Sequence, residues 1–135
     1  LNCKYIFLDH ISIVISGISE GDERRNIDNL MTNLRKLVEE VNCGMFVVSH
    51  LKRVDSKTGH EEGIQTSLSH LRGSHSLAQL SDAVIGFERD QQSETENNIM
   101  TVRVLKNRFT GDTGVACDLI WNKDTGRLVE GNFDE

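Results

Sequence analysis

The sequence has 135 residues, of which 37% are hydrophobic and 27% charged, as is ordinary for a single soluble globular domain. No apolar run approaches the roughly 18 residues of a membrane-spanning helix, so no membrane partner is expected. The formal net charge of −6 argues against a uniformly basic nucleic-acid-binding protein but allows a local cationic loop. The three cysteines are widely separated and lack metal-ligand spacing, so a zinc site is not expected.

The first half of the chain predicts alternating strands and a helix. Residues 5–8 and 45–49 are short apolar runs, typical of parallel strands buried on both faces. Residues 11–16 continue the apolar character of the first run. Over residues 22–41, apolar side chains recur every three or four positions, which predicts a helix with one apolar face.

The second half changes its periodicity. The polar stretch 50–75 predicts a long loop, and loops of this length are typical of functional segments. A short helix near 76–82 leads into a third apolar run at 83–87, which we expect in the parallel sheet. Beyond residue 99, apolar and polar residues alternate between glycine-containing turns. The predicted fold class is therefore α/β, with a mainly parallel central sheet, helices and a C-terminal antiparallel β-meander.

Two polar residues end the first two predicted strands. Asp9 follows residues 5–8, and His50 follows residues 45–49. The carboxyl ends of parallel strands meet at one edge, where α/β sheets bind ligands. An acid there can position magnesium beside nucleotide phosphates, and a histidine can donate a hydrogen bond to a phosphate. Taken singly, Asp9 could merely cap a turn and His50 could be a surface residue, but their expected common edge favours a functional interpretation.

Two cationic segments are further candidates. The loop carries cations and a glycine that could contact a phosphate backbone, namely Lys52, Arg53, Lys57, Arg72 and Gly73. Its small net charge equally fits a solvated loop. Lys106 and Arg108 stand two residues apart before a turn at 110–114, so we expect them to point the same way. Such a pair can neutralise transition-state charge at a neighbouring subunit, as an arginine finger does, or simply protect a sheet edge.

Together these segments resemble one family. They are Tyr5-Ile-Phe-Leu-Asp9-His-Ile-Ser-Ile-Val14, Asp22-Glu-Arg-Arg-Asn-Ile-Asp-Asn-Leu-Met31, Ser49-His50-Leu-Lys52, His60-Glu-Glu-Gly63, Leu71-Arg-Gly-Ser74, Gln79-Leu-Ser-Asp82 and Lys106-Asn-Arg-Phe-Thr-Gly-Asp-Thr-Gly114. In this order, over nearly the whole chain, they resemble the C-terminal helicase part of phage replicative helicase–primases. That family is related to DnaB-type helicases and to mitochondrial Twinkle, which have RecA-like P-loop NTPase cores.

The resemblance implies a fragment of a replicative DNA helicase that couples hydrolysis of ATP, or another NTP or dNTP, to translocation on single-stranded DNA and duplex unwinding. It implies Mg²⁺ as cofactor, a hexameric ring of identical subunits, primase and polymerase as partners, and a cytoplasmic location in a phage-infected or bacterial host. The roles that it implies are Asp9 as the Walker B aspartate, His50 as γ-phosphate sensor, Lys52, Arg72 and Gly73 in DNA-binding loops, Arg108 as arginine finger with Lys106 beside it, and Arg89 and Trp121 flanking the nucleotide base.

The sequence departs from the family pattern in several places. The 135 residues contain no G-x-x-x-x-G-K-[ST] motif, so residues 1–135 are expected to be the C-terminal part of the ATPase domain without its Walker A segment, inactive alone. Ser56 and Thr58 replace loop cations that the family pattern would place there. Two alternatives stay open: a RecA-like recombinase fragment, which the Lys106–Arg108 hairpin disfavours, and a non-catalytic DNA-binding or oligomer-interface module.

Overall fold

A computed structural model describes residues 3–17, 22–52, 59–71 and 75–131. The chain divides into two compact units, one of residues 1–52 with 71–81 and one of residues 53–70 with 82–135. None of the described helices has the length and apolar character that a membrane crossing requires. The elements in chain order are β1 (Tyr5–Leu8), α1 (Ile11–Ser16), α2 (Glu23–Val41), β2 (Gly44–Val47), a short 3-10 helix (Leu68–His70), α3 (His75–Leu80), β3 (Ala83–Glu88), β4 (Ile99–Asn107), β5 (Gly114–Asn122) and β6 (Arg127–Glu130).

The first unit is built on a parallel pair of strands joined through two helices. β1 and β2 pair in parallel, with Leu8 opposite Val47. The predicted long helix is confirmed as α2. It begins where the Asp22 side chain accepts a hydrogen bond from the Arg24 backbone N–H, at 3.0 Å. It ends at Asn42, whose left-handed backbone conformation closes the last turn.

The core of the first unit lies between α1, α2 and α3. Its buried side chains are Ile11, Ile15, Ile27, Met31 and Leu77. Ile11 and Ile15 stand one helical turn apart, so residues 11–16 bury both side chains by forming α1. Each fully buried side chain of this size contributes about 1.5–3 kcal/mol. The sequence did not predict α1, because a mostly apolar stretch of six residues is too short to show a helical period.

The β1–β2 sheet is covered on one face by the described residues. Leu8 and Val47 pack against the core, whereas Tyr5, Phe7 and Phe46 on the other face are 63%, 75% and 53% exposed. The rings of Phe7 and Phe46 stack at 4.7 Å between centroids. The expected burial of both strand faces is therefore not met within the part of the chain that the structure describes.

The second unit contains a four-stranded antiparallel sheet in the order β3-β4-β5-β6. The prediction that residues 83–87 join a parallel sheet is wrong, because β3 pairs with β4 in antiparallel fashion, with Glu88 opposite Thr101. A short apolar run predicts a strand but carries no information about the direction of its partner. The described residues thus form one parallel and one antiparallel sheet, not a mainly parallel central sheet. The C-terminal meander is confirmed.

Two asparagine-led turns fix the register of the meander. The Asn107 side chain accepts hydrogen bonds from the backbone of Phe109 and Thr110 after β4. Asn122 accepts hydrogen bonds from the backbone of two residues in the same way after β5. The first turn also needs Gly111, whose φ of 79° suits glycine and few other residues. Both predicted turns are therefore present.

Candidate functional site

Asp9 and His50 emerge at the same edge of the parallel pair. The backbone pairing continues past both strands, since the Val48 N–H donates to the Leu8 carbonyl at 2.9 Å and the Ile11 N–H donates to the Val48 carbonyl at 3.0 Å. Both Asp9 and His50 are exposed. The expected common edge is present, and it presents a carboxylate and an imidazole to solvent at the carboxyl ends of two parallel strands.

A second histidine, which the sequence did not indicate, belongs to this edge. His10 is half-buried, and its ring centroid lies 4.1 Å from that of His50, with the rings inclined by 34°. Its position directly after Asp9 was visible in the sequence. Its contact with His50 depends on the parallel pairing of β1 with β2, which the sequence alone does not specify.

The donor set at this edge fits a nucleotide-bound magnesium ion better than a protein-only metal site. Among the described residues, no three or more His, Cys, Asp or Glu side chains are grouped to hold a metal. Magnesium commonly takes only one or two protein carboxylates and completes its shell with water and substrate phosphates. The exposed carboxylate of Asp9 could supply one such ligand.

Each of the two segments expected to contact DNA directly follows one residue of a β-bridge in the first unit. Lys52 is exposed and follows Leu51, and Leu51 forms an antiparallel bridge with Leu71. Arg72 and Gly73, which follow Leu71, lie outside the described residues, as do Arg53 and Lys57. The bridge brings together the residues that directly precede Lys52 and Arg72 in the sequence.

Arg89 and Trp121 line one surface pocket in the second unit. The pocket has a volume of about 240 Å³, and its other lining residues are Asn98, Met100 and Leu128. The Arg89 Nε–H donates to the Asn97 carbonyl at 2.5 Å, and the Trp121 backbone N–H donates to the Asn98 carbonyl at 2.8 Å. An indole with a fixed guanidinium nearby suits stacking on a flat heteroaromatic ring.

The sequence did not single out the three other lining residues of this pocket. Leu128 lies there because β5 and β6 pair with Trp121 opposite Leu128. The alternating pattern of β4 identified Met100 only as an apolar residue of a one-sided strand. The turn lengths and strand register that gather these side chains are not visible in the pattern of any single strand.

Lys106 and Arg108 lie on either side of the end of β4. β4 ends at Asn107, so Lys106 lies in the strand and Arg108 in the turn after it. The Arg108 Nη1 donates to the Asp82 Oδ1 at 2.9 Å, and the Arg108 backbone N–H donates to the Asp82 carbonyl at 2.8 Å. The Arg108 side chain is 52% exposed, and an exposed ion pair of this kind contributes only about 0–1 kcal/mol. A stronger anion could therefore displace Asp82 from the guanidinium.

A buried ionic cluster in the second unit was also missed. The Glu88 carboxylate accepts two hydrogen bonds from Arg103, Nε to Oε1 at 2.7 Å and Nη2 to Oε2 at 3.1 Å. The backbone N–H and hydroxyl of Thr66 both donate to the Glu88 Oε1, each at 2.7 Å. Burial alone would raise the pKa of Glu88, but the Arg103 hydrogen bonds, the Thr66 hydrogen bonds and the Arg103 charge outweigh it and hold that pKa below its ordinary value.

Comparison with known proteins identifies the family. Residues 1–130 match the DnaB-like helicase C terminal domain. A protein named DNA helicase/primase from Enterobacteria phage T3 is 46% identical over 133 residues, which are 98% of this chain and 23% of that protein. A solved structure of a DnaB-like replicative helicase, described with its interactions with primase, matches with a TM-score of 0.73 at 22% identity, over 93% of this chain and 30% of that one.

These matches differ in what they establish. The solved structure supports the fold, and the phage T3 protein is a sequence relative of which this chain spans less than a quarter of the length. The family match extends over nearly all of the chain. The chain belongs to the DnaB-like helicase C-terminal domain family.

Proposed function

We propose that this chain is the C-terminal part of the RecA-like ATPase domain of a longer replicative DNA helicase, named the parent helicase below. The parent helicase couples NTP hydrolysis to translocation along single-stranded DNA and to duplex unwinding. The observation that carries the proposal is that Asp9 and His50 lie at one edge of the parallel strand pair. Lys52 follows His50 by two residues in the sequence. Family membership and the 46% identity to the phage T3 protein support it.

Asp9 and His50, at the common edge, have different roles at the nucleotide phosphates. Asp9 would hold a Mg²⁺ ion, which supplies positive charge to the phosphates when bound. The imidazole of His50 donates a hydrogen bond to the terminal phosphate while that phosphate is present. Loss of this hydrogen bond after hydrolysis frees His50 to move with Leu51 and Lys52. Nucleotide state is thereby passed to the bridge between Leu51 and Leu71.

The DNA-contacting residues follow that bridge. Lys52, Arg72 and Gly73 contact the phosphates of single-stranded DNA through side-chain cations and backbone N–H groups. Because these contacts involve phosphates and not base edges, the parent helicase binds DNA with little sequence preference. Repeated movement of the loops between nucleotide states then produces translocation.

The remaining roles belong to the second unit and to the assembly. Arg89 and Trp121 flank the nucleotide base in their shared pocket. Arg108, with Lys106 beside it, acts as an arginine finger on the nucleotide of a neighbouring subunit in a hexameric ring. The pair between Arg108 and Asp82 holds the guanidinium until that subunit offers a more strongly charged phosphate. Primase and polymerase are the proposed partners, and replication of phage DNA in the host cytoplasm is the proposed setting.

Asp9→Ala in the parent helicase tests the proposal. We expect wild-type protein to hydrolyse NTP faster with single-stranded DNA and to unwind a forked duplex, and Asp9→Ala to lose both activities while still folding and assembling. Asp112→Ala, in the exposed β4–β5 turn, is the matched control and should keep both. A parallel chimera, with this chain in place of the aligned 133 residues of the phage T3 protein, tests whether the chain suffices in that context.

The outcome also separates the proposal from its alternatives. DNA binding and assembly without hydrolysis would favour the non-catalytic DNA-binding or oligomer-interface module. DNA-stimulated hydrolysis with strand exchange but no unwinding would favour the recombinase. The match to the DnaB-like family already favours a helicase over a recombinase.

A further inference from the structure

Residues 59–67 are attached across the end of β3. Glu62 forms an antiparallel bridge with Asp90, and the Gln91 backbone N–H donates to the Glu61 carbonyl at 2.8 Å. In the sequence, this segment lies between Lys52 and Arg72, the two proposed contacts to DNA. Its attachment therefore restrains the middle of the long polar stretch that the DNA loops belong to.

Thr66 is the buried anchor of this segment. It is 2% exposed, and both of its donors, the backbone N–H and the hydroxyl, reach the same oxygen of Glu88. Gly86 of β3 lies against the Thr66 side chain, and a Cβ atom at this position would collide with the Thr66 hydroxyl. Glycine thus permits the close approach on which both hydrogen bonds depend.

Arg103 completes the anchor from β4. Its guanidinium contacts both oxygens of Glu88, and the two side chains are 17% and 7% exposed. A buried carboxylate that accepts four charge-assisted hydrogen bonds has little freedom to reorient. Thr66, Glu88 and Arg103, here named the Thr66 clamp, form a rigid unit between the 59–67 segment and two strands.

The Thr66 clamp adjoins the proposed nucleobase pocket. Glu88 directly precedes Arg89, and Arg89 lines both the pocket with Trp121 and a smaller pocket of about 140 Å³ that includes Glu88, Gly63 and Asp90. A shift of the β3 end on nucleotide binding would thus move Glu88 and Arg89 together. The same shift would reach Thr66 through two short hydrogen bonds.

We propose that the Thr66 clamp is a positioning device that links the nucleobase pocket at Arg89 to the DNA-contacting stretch on either side of residues 59–67. This inference rests on the proposed helicase function. In this role Thr66, Glu88 and Arg103 are positioning residues, which act by holding residues 59–67 at the end of β3. If these contacts only stabilised the fold, their loss would leave the stimulation of hydrolysis by DNA unchanged.

Thr66→Val in the parent helicase separates the two roles, because valine keeps the shape and the backbone N–H but lacks the hydroxyl donor. We expect basal hydrolysis and the KM for NTP to stay at wild-type values. The stimulation of hydrolysis by single-stranded DNA should fall by about fivefold or more, the lower end of usual couplings between sites. Thr66→Ser should restore it. Arg103→Lys is the second variant. It keeps the positive charge but loses the bidentate hydrogen bonds to Glu88, and it should behave like Thr66→Val.

Thr32→Val is the matched control. The Thr32 hydroxyl also donates a hydrogen bond, to the Asp28 carbonyl at 2.9 Å, but it lies on α2 in the first unit. It should keep wild-type stimulation by DNA. Wild-type stimulation in both Thr66→Val and Arg103→Lys would overturn the inference, as would an equal loss in Thr32→Val or a parallel fall of basal and stimulated rates. A wild-type parent helicase with no stimulation by DNA would overturn the proposed function along with it.

Discussion

The imidazole rings of His10 and His50 are in contact, with 4.1 Å between their centroids, because each histidine follows one of two neighbouring parallel strands. His10 is half-buried and His50 exposed, so His10 is the less solvent-accessible ring of the pair. The conformation of the proposed phosphate sensor is therefore restricted by the residue that follows the proposed magnesium ligand, Asp9.

Replacing His10 should reduce turnover more than nucleotide binding. In His10→Ala, the ring of His50 loses its packing partner and populates conformations that miss the terminal phosphate. We expect kcat of the parent helicase to fall on the order of tenfold with little change in KM, because misplaced catalytic groups cost up to about a hundredfold. His10→Phe keeps a flat ring and should recover most of the rate. An unchanged kcat in His10→Ala would contradict the positioning role, and His75→Ala, an exposed histidine at the start of α3, is the control.

Arg108→Ala should abolish hydrolysis while nucleotide binding survives. Arginine fingers act on transition-state charge and contribute about 10³–10⁵ to the rate in other phosphoryl-transfer enzymes. Mixed hexamers of wild-type and Arg108→Ala subunits test the action on the neighbour. If variant subunits fail to suppress turnover at the adjacent wild-type site, the role passes to Lys106. Lys123→Ala, an exposed cation in the β5–β6 turn, is the control.

Binding of single-stranded DNA should weaken when Lys52 and Arg72 are both replaced by alanine. Each lost phosphate contact should lower the slope of the logarithm of affinity against the logarithm of salt concentration by about 0.7. The measurement is a salt titration of DNA binding by the assembled parent helicase. Unchanged affinity and slope would remove both residues from the DNA-binding assignment. Lys36→Ala, on the exposed face of α2, serves as control.

Glu88→Gln should make stability less sensitive to acid. The pKa of Glu88 is held below its ordinary value of 4.5, so the folded chain keeps this carboxylate ionised at pH values where the unfolded chain protonates it. Its stabilisation is present above the unfolded pKa and is lost as pH falls through the lower folded pKa. At neutral pH, we expect the variant to lose about 1–3 kcal/mol in free energy of unfolding.

Urea unfolding of the chain at pH values from about 7 to about 3 measures this difference. The wild-type and Glu88→Gln free energies of unfolding should converge as the pH falls. Glu39→Gln removes an exposed carboxylate paired with Arg35 and should change little at any pH. A constant gap between wild type and Glu88→Gln across the series would contradict the prediction.

The elements that were predicted correctly are those whose sequence pattern lies within the element itself. α2 has an apolar period of its own and an aspartate at its start, and β1 and β2 are short apolar runs that end in polar residues. The pairing of strands was harder to predict, because β3 as a run of residues is compatible with either direction. Its antiparallel pairing with β4 depends on tertiary contacts.

The candidate site divides in the same way. Asp9 and His50 could be inferred from strand ends, whereas Arg89 and Trp121 were assigned from family resemblance alone. In the Thr66 clamp, Thr66 and Arg103 are separated from Glu88 by 22 and 15 residues of sequence, respectively. Neither Thr66 nor Arg103 belongs to a recognisable motif. A buried ion pair formed across strands is visible only once the register is known.

The close approach of Thr66 to Gly86 has an evolutionary consequence. A side chain at position 86 would occupy the space of the Thr66 hydroxyl, so the two positions cannot vary independently. Related sequences that carry threonine or serine at the position of Thr66 should carry glycine at that of Gly86. Where glycine is replaced, the partner should shrink to alanine or glycine, and the carboxylate at the position of Glu88 should have lost its hydroxyl donor.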